Sequence, residues 1–156
     1  MPPASTVTTR SPAETQAVGR RLGKVVVAGD VLLLEGPLGA GKTVLIQGLA
    51  SGLGCDDEVV SPTFVLVHQH QGRLELVHAD LYRLEQRADV EALGLLELSA
   101  EGVLALEWAE RAPWLRIPGA ARLTIGEGAD EKSRELRLEG GPARLHAALD
   151  ASAPRR

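Results

Sequence analysis

Asparagine is missing altogether from the 156 residues of this chain, and with it the Asn-Lys-x-Asp signature by which regulatory GTPases read guanine. Cysteine occurs once, at Cys55. No intrachain disulfide can form, which fits a reducing compartment, and Cys55 reads as an ordinary small residue. No apolar stretch approaches the roughly 18–20 residues that cross a bilayer, and the first residues carry no basic-then-apolar targeting pattern. The expectation is a cytoplasmic protein with no membrane contact. Positive charge is also short: 17 Lys and Arg face 21 Asp and Glu, for a net charge of -4, and no stretch gathers the basic residues on one face. Such a surface does not grip nucleic acid unaided by neutralising phosphates, so a nucleic-acid role must run through a partner. Aromatic residues make up only 3% of the chain, so a tryptophan beside a candidate site is conspicuous.

What the chain does have is enough apolar residue, 44%, for one sizeable core and hardly two. It also has Gly36-Pro37-Leu38-Gly39-Ala40-Gly41-Lys42-Thr43, a complete G-x-x-x-x-G-K-[ST] phosphate-binding loop. With three Lys and fourteen Ser plus Thr in the chain, the pattern should arise by accident about 0.003 times. Its flanks have the required order. Asp30 to Glu35 is a short, nearly continuous apolar run suited to a buried parallel strand. Lys42 to Leu53 reads as a helix that Gly52 and Gly54 can stop. The glycines let backbone N–H groups turn inward around phosphates where Cβ atoms would obstruct. Lys42 would reach the β/γ-phosphates, and the Thr43 hydroxyl would ligate Mg²⁺.

The other elements follow by periodicity. Residues 1–10 read as a flexible leader or an edge strand. Ser11-Pro12-Ala13-Glu14 is a capping box with proline at the first helical position, opening a helix to about Val25. Ser61 to His70 and Arg73 to His78 read as an antiparallel hairpin turned at Gln71-Gly72. Ala88 to Leu98 looks helical, Gly102 to Glu107 a buried strand, and Trp108 to Arg111 the start of another helix. Two strands, Ala121 to Gly126 and Arg134 to Leu138, precede a short helix over Pro142 to Leu149. Residues 11–150 then form a single α/β domain of the P-loop NTPase class, three-layered around a central mixed sheet, and residues 151–156 a disordered tail.

Hydrolysis needs carboxylates to hold the metal shell and orient water. Glu107 closes an apolar strand, where ligands of open α/β sheets collect, and reads as a metal contact. Asp80, in His78-Ala79-Asp80-Leu81-Tyr82-Arg83, ends the hairpin's second strand and can orient the attacking water or the metal's waters. Each acid could equally be a solvated strand end. Thr63, in Ser61-Pro62-Thr63-Phe64, offers a hydroxyl for sensing the γ-phosphate. Trp108 can stack on a ligand, fill an interface or simply pack. His68, His70 and His78 alternate without accompanying cysteine or nearby acids, make a poor metal site, and read as strand-surface residues.

In their order and spacing, GPLGAGKT, SPTF, HADLYRL and LEWAER resemble the TsaE family of bacterial tRNA threonylcarbamoyladenosine biosynthesis ATPases, over about Ser11 to Leu138. The phosphate loop is shared with many NTPases; its combination with SPTF, H-x-D-L-Y-R and E-W is far more specific. The resemblance implies a small ATPase that works with two partner proteins, TsaB and TsaD, in modifying the adenosine beside the anticodon of certain tRNAs. It implies ATP and Mg²⁺ as cofactors, and contact with tRNA only through the complex. By motif, Gly39, Ala40, Gly41, Lys42, Thr43 and Val44 correspond to the nucleotide cradle, and Thr43 and Glu107 to the Mg²⁺ ligands. Lys42, Asp80 and Glu107 correspond to the catalytic set. Thr63, Trp108, Ser11, Ser133 and Arg134 match segments lining the family's nucleotide pocket. His70 departs from the pattern, since many relatives carry tyrosine there.

Two other functions fit a compact P-loop protein. A small-molecule or nucleoside kinase would use the same loop to phosphorylate a bound hydroxyl, and Arg111 and Arg116 could belong to its lid. A nucleotide-gated assembly factor would use ATP binding alone to order a docking surface.

Overall fold

Side chains of Val31–Glu35 point alternately into two apolar layers, Leu32 and Leu34 into one and Val31 and Leu33 into the other. That period of two, with apolar residues on both sides, marks a strand buried on both faces. The computed structural model describes residues 4–37, 39, 41–56, 59, 67–82, 86–115 and 117–150. Its strands are β1 (Ser5–Thr9), β2 (Val31–Glu35), β3 (Val67–His70), β4 (Leu76–Asp80), β5 (Val103–Glu107), β6 (Ala121–Glu127) and β7 (Arg134–Glu139). They form one sheet in the order β1-β7-β6-β2-β5-β4-β3. The middle pairs, β6 with β2, β2 with β5, and β5 with β4, are parallel. The outer pairs, β1 with β7, β7 with β6, and β4 with β3, are antiparallel. The sheet is therefore mixed, and the fold is a three-layered α/β domain of the P-loop NTPase class.

Helices α1 (Pro12–Val25), α2 (Lys42–Gly52) and α5 (Ala143–Asp150) cover one face, burying Val18, Leu22, Leu45, Leu49 and Leu145 against Leu32, Leu34, Ala105 and Leu123. The short helices α3 (Arg87–Ala92) and α4 (Leu95–Leu98), a 3₁₀ turn over Ala109–Arg111, and Trp114 cover the other. Pro12 opens α1, and Ser11 Oγ accepts from the Glu14 amide at 3.1 Å. Glu14 returns its carboxylate to the Arg10 amide at 3.3 Å, one residue earlier than the usual capping box. The single helix expected over 88–98 is two: Gly94, at φ +59°, closes α3 and opens α4. None of the helices among the described residues is long and apolar enough to cross a membrane.

Helices α1 and α2 meet along four glycines spaced i,i+4: Gly19 and Gly23 against Gly48 and Gly52. A Cβ on Gly48 would lie 2.0 Å from the Gln16 carbonyl oxygen, and one on Gly19 would lie 2.1 Å from that of Leu45. The obstructing atoms are backbone, so they can yield only by moving a helix. Alanine normally gains about 1 kcal/mol over glycine inside a helix. At Gly48 the overpacking cost, typically about 1–3 kcal/mol and more against backbone, outweighs it. Gly48→Ala is therefore expected to lower the urea midpoint, while Gly126→Ala, with no atom within 4 Å of the added Cβ, stays within about 0.5 kcal/mol of wild type. Equal midpoints for the two variants would contradict close backbone contact at Gly48.

Candidate functional site

At the end of β2 the chain turns through Gly36 into the phosphate-binding loop. Gly41, at φ +107°, occupies the N-cap of α2 in a left-handed conformation and makes no side-chain cap bond. A glycine is needed there, since a Cβ would strain the backbone by about 1–2 kcal/mol. The first turn of α2 carries no acidic residue, so its amides and the positive end of the helix dipole are directed at the loop, an arrangement suited to anions. The Gly36 amide donates to Glu110 Oε2 at 3.1 Å, tying the loop's start to the segment after β5.

Two acids meet beside this loop because of strand register. Leu34 is opposite Glu107, and Glu107 is opposite Asp80. Parallel strands ending level bring both carboxylates to the sheet edge from which the loop springs. Asp80 and Glu107 are 2% and 3% exposed. Asp80 Oδ1 accepts from the Tyr82 amide at 2.7 Å. Glu107 Oε1 is 3.5 Å from the Thr43 hydroxyl, and its Oε2 is 2.6 Å from His78 Nε2. Thr43 Oγ1 and Glu107 are hard oxygen donors of the kind Mg²⁺ selects. Among the described residues no three His, Cys, Asp or Glu are grouped to hold a metal by themselves.

Lys42 donates to the Gly36 carbonyl oxygen, and its Nζ lies 3.4 Å from the centroid of the Trp108 ring. Tyr82 packs against Trp108 with the rings tilted and their centroids 4.8 Å apart, and Arg111 lies over Tyr82. Trp108 has φ +59°, the one positive φ of a non-glycine among the described residues. Backbone strain of that kind, about 1–3 kcal/mol, persists where surroundings fix it. Burial pushes the Lys42 ammonium below its ordinary range, against the opposing pull of Glu110, Glu107 and Asp80.

Next to the loop a cleft of about 520 Å³ is lined by Arg10, Ser11, Thr15, Gly39, Gly41, Val44, Lys132 and Arg134. Its size suits a small organic ligand. Beneath it, the buried hydroxyls of Thr9 and Thr15 are 2.6 Å apart and join β1 to α1.

The TsaE family profile, threonylcarbamoyl adenosine biosynthesis protein TsaE, matches residues 9–136. The chain belongs to the TsaE family. It is 48% identical to the tRNA threonylcarbamoyladenosine biosynthesis protein TsaE of Nostoc sp., over 80% of this chain and 78% of that protein. With the TsaE protein of Streptomyces coelicolor it shares 40% identity, over 77% and 84%. The crystal structure of Bacillus subtilis YdiB superposes with a TM-score of 0.78 at 29% identity, covering 97% of this chain and 95% of that one.

In this TsaE-family chain, Lys42, Thr43, Asp80, Glu107 and Trp108 come together at one sheet edge, and Ser11, Gly39, Gly41, Val44 and Arg134 line the adjoining cleft. Ala40, Thr63 and Arg116 lie outside the described residues, as do the SPTF segment and residues 151–156. Ser133 is placed differently from Arg134. It is buried, its hydroxyl donates to Asp130 Oδ1 at 2.8 Å, and it shapes the turn behind the cleft without lining it. That hydroxyl, with the amides of Lys132 and Ser133, holds the exposed Asp130 carboxyl below its usual range. Arg111 lies over the Tyr82 ring.

The histidines require a correction. His70 and His78 are 3% and 0% exposed, not strand-surface residues. His78 lies on β4 between β3 and β5, and its Nε2 is paired with an acid remote in sequence. Glu110, Arg10, Thr15 and Lys132 were also missed. The L-E-W-A-E-R run offered a signal for Glu110, while the others depend on how β1, α1 and the β6–β7 turn converge.

Because burial lowers the folded-state pKa of Lys42, the unfolded chain binds more protons than the native one between that pKa and the unfolded value of 10.5. Stability contributed through Lys42 therefore rises with pH as the buried ammonium loses its proton. Denaturation between neutral pH and pH 10 should show a flatter stability profile for Lys42→Met than for wild type; a steeper one would reverse the sign.

Proposed function

We propose that this chain is a Mg²⁺-dependent ATPase of tRNA threonylcarbamoyladenosine biosynthesis, working in the cytoplasm in complex with TsaB and TsaD and meeting tRNA only through that complex. The observation that carries the reading is the meeting of Lys42 and Thr43 with Asp80 and Glu107 at the ends of β2, β4 and β5. The TsaE family's role in threonylcarbamoyladenosine biosynthesis supplies the pathway, and the net charge of -4 argues against unaided tRNA binding.

When bound, Mg-ATP supplies the activated γ-phosphoryl group and a cation that neutralises charge developing on its oxygens. The amides at the start of α2, with Gly39 and Gly41, would cradle the phosphates, and Lys42, which here donates to the Gly36 carbonyl, would supply their positive charge. Thr43 and Glu107 hold the metal. Asp80, fixed by the Tyr82 amide, orients a water. Ser11, Val44 and Arg134 bound the space for the nucleoside, and Trp108 backs the Lys42 ammonium. Ala40 and Thr63 complete the cradle and the γ-phosphate sensor by resemblance to the family, whereas Ser133 acts through the turn it supports.

Phosphate release from ATP should be slow for the isolated chain and accelerate when TsaB and TsaD are added. Lys42→Ala and Glu107→Gln should each lower turnover of the assembled complex about 10²–10³-fold, the range for losing one preorganised electrostatic contact. Transfer of label from γ-labelled ATP to a metabolite instead of water would replace this reading with a kinase. Undiminished turnover in either variant would remove that residue from the catalytic set.

A further inference from the structure

We infer that His78 is a positioning residue that sets the rotamer of the Glu107 carboxylate, and through it the geometry of the site's metal-binding oxygens. The inference rests on the Mg-ATP reading above and goes beyond it, since none of the proposed catalytic contacts uses His78.

The geometry begins with register. On parallel β4 and β5, His78 is opposite Ala105, and Glu107 is two residues further along β5 on the same face. Diagonal neighbours of this kind are within reach of long side chains. Ala105 is small and fully buried, so it leaves the diagonal open. On the other side the His68 ring meets His78 edge-on, with centroids 6.4 Å apart. The His78 ring is thus confined by a neighbouring strand on each side, and its Nε2 lies 2.6 Å from Glu107 Oε2.

Proton placement follows from the partner. An ionised carboxylate only accepts hydrogen bonds, so the ring must present Nε2–H to it. A neutral ring then keeps its lone pair on Nδ1, and among the described residues that buried atom has no hydrogen-bond partner. Burying a polar ring costs free energy unless it is hydrogen-bonded. A leucine would fill this strand position without that cost. Among the described residues the one side-chain hydrogen bond of His78 is to Glu107, so what offsets the burial of the ring is that carboxylate.

Holding Oε2 leaves Oε1 on the Thr43 side, 3.5 Å from its hydroxyl. Without the bond, Glu107 could rotate, and Asp80 directly across the strand pair would favour its departure, because like charges at opposed positions repel. The arrangement has the form of a residue behind a metal ligand that fixes the ligand's direction.

The test compares His78→Gln, whose terminal amide can place an N–H near the Nε2 position, with His78→Asn, whose amide is too short to reach Glu107. Calorimetry of ATP binding is run with Mg²⁺ and again in EDTA, with thermal unfolding recorded for both variants. His78→Asn is expected to lose about 10–100-fold of the affinity that Mg²⁺ adds, the usual effect of removing a partner behind a metal ligand. Its binding of metal-free ATP should stay within about twofold, and His78→Gln should recover most of the loss. An unchanged Mg²⁺ dependence in His78→Asn would overturn the inference, as would equal losses in both variants with and without Mg²⁺, which indicate a merely structural ring. If wild type gains no ATP affinity from Mg²⁺, the Mg-ATP reading falls and this inference with it. A gain in wild type that His78→Asn retains overturns the inference alone. Should neither variant fold, nitrogen-15 NMR of wild type decides: protonation at Nε2 supports the inference, and protonation at Nδ1 alone overturns it.

Discussion

The parallel register of β2, β5 and β4 is the constraint on which the site depends. Because Leu34, Glu107 and Asp80 are level across three strands, one sheet edge carries the start of the phosphate loop and two carboxylates. A slip of one residue in either pairing would turn the whole strand over, sending Glu107 or Asp80 to the α3–α4 face and apolar side chains into the wrong layer. The register is enforced by the cores on both faces, where Leu32, Leu34 and Ala105 pack on one side and Val31, Leu33, Leu104 and Leu106 on the other. Packing and chemistry are therefore not separable here: the apolar alternation that stabilises the sheet also aims the acids.

The glycine contact between α1 and α2 acts on the same site from the other direction. The backbones approach so closely that α1 is fixed against α2, and α2 begins at the loop's own Lys42. The N-terminal end of α1, with Arg10, Ser11 and Thr15, then forms one wall of the cleft beside Gly41 and Val44. The opposite wall comes from the β6–β7 turn through Lys132 and Arg134. Its shape is held by Ser133 and Asp130 bonding to each other and to the local backbone.

Legibility in the sequence followed the range of the interaction. The phosphate loop, the Ser11-Pro12 helix start and the apolar run ending in Glu107 are contiguous signals, and fold class could be read from their order. The break at Gly94 was hidden because helical periodicity resumes after it. The four seam glycines look like weak helix formers when one helix is considered alone; their value exists only in the pair. The bond from His78 to Glu107 was illegible for a related reason. Alternation shows that His78 shares a face with Asp80, but not which strand lies alongside or that Ala105 leaves a path. Ser133 and Arg134 are adjacent in sequence, but the Ser133 side chain is engaged by Asp130 in the turn while Arg134 lines the cleft, a difference that adjacency alone does not reveal.

Charge around Lys42 joins these observations. One ammonium is set among Glu110, Glu107 and Asp80 and is also partly stripped of water, with desolvation the larger influence. Its contacts with the Gly36 carbonyl and the Trp108 face return part of that lost hydration. Three carboxylates against one lysine leave the loop's inner edge negative, although the helix end beside it is built for anions. A bare triphosphate brought there would meet opposing fields, attraction from α2 and repulsion from the acids. A divalent cation held by Thr43 and Glu107 would offset much of the acids' charge and so ease the conflict. On the proposed Mg-ATP reading, the acids that would hinder a metal-free nucleotide suit one that arrives with its metal.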